Sequence, residues 1–234
     1  MKPFLKVVGV VVLVLAVWAG LFVLYLSNWG NVAASQMAVK YQTLGYPQGG
    51  VVLMGSSSIQ LWTDSEADLG PLHSVNVGIG GSIVKTWFPL VDTLVTPFHP
   101  KAVVIYIGAN DLHNNHTPPA DVFTELEQLI GQIHSALPNA RLYYVTVYTT
   151  NAYPELRQDD EALNAIVAQL AAQTDYLEYI DCATALLDPQ GNIRDDIFLA
   201  DKVHLNDVGY SIWIRTIRSA LLADFPVENE GDIK

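Results

Sequence analysis

Residues 102–111 read "AVVIYIGAND". The first six are apolar without a break, and four of them are β-branched. Such a run fits a strand buried on both faces; a strand with one wet face would alternate polar and apolar residues. It ends in Gly-Ala-Asn-Asp, where the chain turns polar at once. A strand covered on both sides needs a layer of helices above and below it. The flanking sequence should therefore alternate strands with amphipathic helices.

It does. Further strand candidates are Val51–Met54, Ser74–Val77, Arg141–Val147 and Leu177–Ile180, beside Ala102–Ile107 itself. Each is short, rich in β-branched or aromatic residues, and bounded by Gly, Pro, Asn or Asp. Residues 118–137 place Val122, Leu126, Leu129 and Ile133 on one helical face, with Phe123, Ile130 and Leu137 beside it. Thr117 before Pro118 reads as an N-cap with proline at the first helical position. Residues 158–172 repeat the pattern with Leu163, Ile166, Val167 and Leu170, and 207–223 with Tyr210, Ile214, Ile217 and Leu221, capped by Asn206. Five strands alternating with helices predict an α/β fold, a three-layer α/β/α sandwich around a parallel sheet.

The 234 residues suffice for one sizeable domain, expected over 47–226, with 227–234 as a tail. Ahead of it, Val7–Leu26 is twenty residues without a charge. As a helix rising about 1.5 Å per residue it would cover roughly 30 Å, a bilayer core. Lys2 and Lys6 precede it, and the next positive charge is Lys40. The positive-inside rule then puts the N-terminus in the cytoplasm and the domain outside. Residues 1–26 are thus expected to be a transmembrane anchor, and 27–46 a linker with a short helix-compatible stretch ended by Gly45 and Pro47. The competing reading is a signal peptide cut after Ala34 in "VAAS", releasing a secreted domain. The apolar block is longer than the roughly 7–15 residues usual for one. No cysteine stands there, which excludes a lipoprotein signal.

The net charge is −12; without Lys2 and Lys6, 10 basic residues face 24 acidic ones, a net −14. That balance disfavours nucleic acid as a partner and anionic lipid headgroups as a docking surface. Cys182 is the single cysteine, so no intramolecular disulfide forms, and its apolar setting makes it a core residue.

In parallel α/β sheets, functional residues collect beyond the C-terminal strand ends. There the sequence has "GSSSI" at 55–59, "NVGIGGS" at 76–82, "GAND" at 108–111 and "DKVHLND" at 201–207. Singly, each is ordinary: a strand-to-helix turn, a glycine loop, turn chemistry, a helix cap beside a histidine. Together and in order they resemble the SGNH hydrolases, the GDSL-like lipases and esterases, over roughly residues 48–224. The resemblance implies a flavodoxin-like sandwich with a five-stranded parallel sheet. It puts the family's nucleophile on Ser57, its glycine on Gly81, its asparagine on Asn110 and its Asp-x-x-His pair on Asp201 and His204. Ser56 stands where the family usually has aspartate. Gly-Ser-Ser-Ser-Ile is similar to a branch resembling platelet-activating-factor acetylhydrolases.

The residue types suit acyl transfer. A serine hydroxyl needs a base, here His204, and the base needs an orienting carboxylate, here Asp201. The Ser57 and Gly81 N–H groups and the Asn110 side-chain amide would hold the oxyanion. Ser57 would also stand near a helix N-terminus. His113 and His116 read as part of a polar loop near the cleft, not as metal ligands. "NHT" at 115–117 fits a common glycosylation triplet. Trp62, Trp87 and Trp213 read as packing residues or cleft wall.

The expectation is a serine ester hydrolase without metal or cofactor, facing away from the cytoplasm. Its substrate would be a short-chain O-acyl ester of a small molecule, glycan or lipid-derived alcohol. The alternatives are an O-acyltransferase or deacetylase on cell-envelope glycan, a lysophospholipase or thioesterase, and, in another class, a non-catalytic anchored binding protein.

Overall fold

The computed structural model describes residues 11–15, 17–20 and 29–226. Of the apolar block expected to be an anchor, residues 11–15 and 17–20 are helical and exposed. The remainder of that block lies outside the described residues, as does the tail 227–234. Among the described residues no helix is long and apolar enough to cross a membrane.

The elements are α1 (Trp29–Leu44), β1 (Val51–Gly55), α2 (Ser57–Gln60), α3 (Ser65–Leu69), β2 (Ser74–Asn76), α4 (Val84–Trp87), α5 (Val91–Leu94), β3 (Ala102–Tyr106), α6 (Ala109–His113), α7 (Pro119–Ala136), β4 (Arg141–Val145), α8 (Arg157–Ala171), β5 (Leu177–Ile180), α9 (Cys182–Ala185) and α10 (Asp207–Asp224). The five strands form one sheet in the order β2-β1-β3-β4-β5, every pair parallel. This is the flavodoxin-like order, and its topological switch point lies between β1 and β3.

β3 is the central strand, and all five of its residues are fully or nearly fully buried. Its side chains alternate between two cores. Val103 and Ile105 join Val52, Met54, Leu142 and Tyr144 under α7 and α8, while Ala102, Val104 and Tyr106 join Val51, Leu53, Tyr143 and Trp213 under α10. This two-sided burial is why the run "AVVIYI" carries no polar residue.

The long helices follow their apolar stripes with small shifts. On α7, Val122, Leu126, Leu129 and Ile133 are all buried. Its N-cap is Pro118, not Thr117, and the cap makes no side-chain hydrogen bond. Two prolines in a row hold the chain extended at Pro118 (ψ 143°), which moves the helix start to Pro119. Asn206 caps α10 as expected, accepting hydrogen bonds from the N–H groups of Val208 at 2.9 Å and Gly209 at 3.2 Å. On α8, Ile166 is only half-buried; Asp160, Leu163, Asn164 and Val167 form the inner line.

The segment expected as a linker forms α1, sixteen residues long. Ala34, Ala38 and Tyr41 on it belong to the core under the sheet. The Tyr41 ring meets Phe98 edge-on at 4.9 Å, and Tyr46 meets the same ring at 5.1 Å. Cys182, Trp62, Trp87 and Trp213 are buried packing residues.

Candidate active site

β1 ends at Gly55, whose φ of +144° lies outside the range of other residues. A Cβ there would stand 2.0 Å from the Tyr106 carbonyl oxygen of β3. The chain then breaks out of the sheet: the Ser56 N–H donates to that same Tyr106 oxygen at 3.0 Å, and α2 begins at Ser57. As the first residue of a helix, Ser57 has an N–H with no intrahelical acceptor. α2 is a single turn, so its contribution to an anion is this free N–H more than a macrodipole.

The loop after β2 is fastened to α2 by Asn76. Its Nδ2 donates to the carbonyls of Ile59 at 2.6 Å and Trp62 at 2.9 Å, and its Oδ1 accepts from the Gly78 N–H at 2.9 Å. Gln60 Oε1 accepts from the Gly80 N–H at 3.1 Å. These bonds carry the loop over α2 and place Gly81, at φ +73°, on the cleft wall beside Ser57. No atom lies within 4 Å of where a Gly81 Cβ would stand, so glycine is required there by backbone conformation and not by crowding.

Asn110 arrives on α6 from the end of β3. Its Nδ2 donates to the Ser82 carbonyl at 2.9 Å, and its Oδ1 accepts from Asn114 Nδ2 at 2.8 Å. The amide is held at both ends, with one N–H left over for the cleft. Ser82 ties the blocks together: its hydroxyl donates to the Gly55 carbonyl at 3.1 Å and accepts from Trp87 Nε1 at 3.2 Å.

Asp201 and His204 come from the loop before α10. His204 Nε2 lies 2.8 Å from Ser57 Oγ, and His204 Nδ1 lies 2.7 Å from Asp201 Oδ2. Asp201 Oδ1 accepts from the N–H groups of Val203 at 2.9 Å and His204 at 3.0 Å. Burial acts to raise the Asp201 carboxyl, but the His204 ring and these two N–H groups outweigh it and hold the group at about 2. A carboxylate only accepts, so His204 Nδ1 carries the ring hydrogen. In the neutral ring, Nε2 is then left as the acceptor for the Ser57 hydroxyl. This tautomer is assigned from the partners.

Ser57, Gly81, Asn110 and His204 therefore line one cleft of about 310 Å³, with Asp201 behind the histidine. The neighbouring serines have other partners. Ser56 is buried at the N-cap, and the Ser58 hydroxyl is 3.0 Å from the Tyr148 hydroxyl inside the protein. Chemically, the arrangement can move a proton from Ser57 to His204 and offer three N–H groups to an oxygen bonded to the attacked carbon.

The cleft also contains residues that sequence reasoning missed. Tyr148, Thr150 and Tyr153, on the loop after β4, form one wall. His113, read as part of a polar loop, is instead a buried member of α6 on the same cleft, paired with Asp160 of α8 at 2.7 Å. The available signal was Asp160 and Asn164 in step with the apolar line of α8. Asn164 closes two hydrogen bonds on the Val147 backbone, at 3.0 and 2.7 Å, and so fixes the β4 loop. His116 is not among the cleft-lining residues. Among the described residues, no His, Cys, Asp and Glu group is arranged to hold a metal ion.

The profile of the GDSL-like Lipase/Acylhydrolase family matches residues 45–212. No curated protein matches the sequence. Solved structures share the fold. A Streptococcus pneumonia protein described as a platelet activating factor superposes with a TM-score of 0.73 at 18% identity, covering 86% of this chain and 99% of its own. The lipase/acylhydrolase of Enterococcus faecalis gives 0.64 at 21% identity, over 76% and 97% of the two chains. A mutant of Axe2, an acetyl-xylooligosaccharide esterase from Geobacillus, gives 0.62 at 16% identity, over 78% and 96%.

Proposed function

The chain belongs to the GDSL-like lipase/acylhydrolase family, a family of hydrolytic enzymes, and from that premise we propose that it is a serine esterase that removes short acyl groups from the hydroxyls of a glycan. The observation that carries this reading is the chain of contacts Ser57 Oγ–His204 Nε2–Asp201, at 2.8 and 2.7 Å. In the proposed reaction, the Ser57 proton passes to His204 Nε2 as Oγ bonds to the ester carbon. The carbonyl oxygen takes the negative charge and accepts from the N–H groups of Ser57 and Gly81 and from Asn110 Nδ2. The C–O bond to the alcohol then breaks, and the alcohol leaves with the His204 proton. Water repeats the sequence on the acyl-Ser57 ester and releases the acid. Asp201 stays ionised throughout and stabilises the imidazolium.

A small acyl group is supported by the size and lining of the cleft. Its roughly 310 Å³ lie at the small end for a ligand site, and Tyr, Thr, Asn and His side chains form its polar wall beside Ala109 and Val203. The glycan alcohol is supported by the same polar wall and by the precedent of an acetyl-xylooligosaccharide esterase on this fold. We further infer that residues 7–26 anchor the enzyme, with its domain on the extracytoplasmic side, from the apolar run and the lysines before it.

The test is an ester panel on the purified full chain in detergent: p-nitrophenyl acetate, p-nitrophenyl palmitate and acetylated xylo-oligosaccharide, with a fluorophosphonate probe. Turnover of the acetyl esters and labelling at Ser57 are expected. Absence of both turnover and labelling would sink the hydrolase reading. A preference for palmitate would sink the short-chain part. Faster acyl release when sugar acceptors are added would favour transfer over hydrolysis.

A further inference from the structure

The loop that brings Gly81 to the cleft is a four-residue turn, Ile79-Gly80-Gly81-Ser82, closed by the Ser82 N–H on the Ile79 carbonyl at 3.2 Å. Both ends of the turn rest on one atom. The Gly55 carbonyl, two residues before Ser57, accepts from the Ile79 N–H at 2.9 Å and from the Ser82 hydroxyl at 3.1 Å. The middle is held less directly. Among the described residues, neither the Gly80 carbonyl nor the Gly81 N–H has a hydrogen-bond partner. The peptide that joins the two glycines is therefore fixed only through its neighbours.

Such a peptide has two settings open to it. Gly81 has a φ of +73°, while Gly80 is not among the positive-φ residues; that combination belongs to the type II turn. Turning the central peptide over gives type I, with a negative φ at Gly81 and its N–H on the opposite side. Two glycines present no Cβ to hinder the rotation. The structure holds the type II setting, and one side chain bears on it. Gln60 Oε1 accepts from the Gly80 N–H at 3.1 Å, on the peptide next to the one that can turn. A Cβ on Gly80 would stand 2.4 Å from that Oε1 and 3.8 Å from the Ser57 Cβ, so the Gln60 amide and the turn meet beside the nucleophile. Gln60 itself is exposed.

We propose that Gln60 is a positioning residue of the oxyanion site: by holding the Gly80 N–H it keeps the turn in its type II setting, in which the Gly81 N–H serves the reacting oxygen. The proposal rests on the esterase reading above and gives a role to a side chain outside the Ser57–His204–Asp201 chain. One hydrogen bond shifts an equilibrium between two settings by a factor of about 3–10. A molecule with the peptide turned over lacks one oxyanion donor, which costs about 10²–10³ in rate. The activity lost is therefore set by the share of molecules that turn over. The Gln60 bond is open to water, so breaking it leaves no buried group unsatisfied and costs little stability.

The experiment measures steady-state hydrolysis of p-nitrophenyl acetate by the full chain in detergent, with the melting temperature alongside. Gln60→Ala should lower kcat by about threefold to tenfold. KM should stay unchanged, because the interaction lost is one made only in the transition state. The melting temperature should match that of the unmodified chain. Gly80→Ala reaches the same bond from the other side, since its Cβ displaces the Gln60 amide. It should slow the enzyme as Gln60→Ala does. The double variant should be no slower than either single one, because both remove one bond. An unchanged kcat in Gln60→Ala overturns the proposal. So does a loss carried by KM, a loss accompanied by a lower melting temperature, or a double variant whose losses multiply. No hydrolysis by the unmodified chain overturns the esterase reading and the positioning role with it.

Discussion

Three consecutive serines have three different fates. Ser56 lies against β3 through its N–H, Ser57 reaches His204, and Ser58 faces inward to Tyr148. Burial pushes the Tyr148 phenol up to about 12, so it stays neutral and able to bond the Ser58 hydroxyl over the working pH range. Substitutions should therefore separate the roles. Ser57→Ala should lower kcat by about 10⁴-fold or more with the melting curve intact. Ser58→Ala should keep kcat within about tenfold but destabilise by about 1–3 kcal/mol, because it strips a partner from a buried phenol. Calorimetry and steady-state kinetics on the two variants check this; a Ser58→Ala protein of unchanged stability and no turnover would reverse the assignment. Ser82 shows why some residues escape a linear reading. It stands in the quoted glycine motif, yet its contacts to Gly55, Trp87 and Asn110 come from three separate segments.

Between elements, α6 and α4 are joined by one buried carboxylate. Asp111, 2% exposed, accepts from the Val84 N–H at 3.2 and 3.3 Å with its two oxygens. Burial raises its carboxyl to about 6, against the Val84 N–H, which favours the anion. The unfolded value is about 3.9, so the native state binds this proton more tightly. The stability that gives is fully present below about pH 4 and lost as pH rises through about 6. Asp111→Asn keeps an oxygen for Val84 and removes the titration. It should be more stable than the parent at pH 8, by on the order of 2 kcal/mol, and gain little at pH 4. Urea unfolding at both pH values checks this, and an equal difference at the two would refute it. Element identity was legible from periodicity, since α7 and α10 need only a local apolar stripe. The start of α7 was not, because two adjacent prolines decide it. Nor was the docking of α1, whose small buried face, Ala34, Ala38 and Tyr41, finds its partner in Phe98, more than fifty residues on from Tyr41.

For the whole molecule, the net charge of −12 repels anionic headgroups, so the membrane attachment proposed above rests on the apolar block and not on the domain surface. A cut after Ala34 would fall inside α1, at a residue 4% exposed in the core, and would remove the first turns of a packed helix. The chain should therefore stay in carbonate-washed membranes with an intact N-terminus. N-terminal sequencing checks this: a soluble product beginning at Ser35 would refute retention.

By itself the sequence determined the sheet and its helical cover, and through its resemblance to the SGNH hydrolases it named the candidates Ser57, Gly81, Asn110, Asp201 and His204. Strand and helix periodicity are local, and the four polar blocks stand in chain order. Tertiary structure alone decided what surrounds those candidates. His113 and Asp160 lie 47 residues apart, and Ser57 and His204 lie 147 apart. Whether two such residues touch depends on how strands pair and where loops land, and on burial, which removes water as the competing partner. His113 and Asp160 are enclosed together, whereas Asp201 is 48% exposed and is brought to His204 by the turn of its own loop.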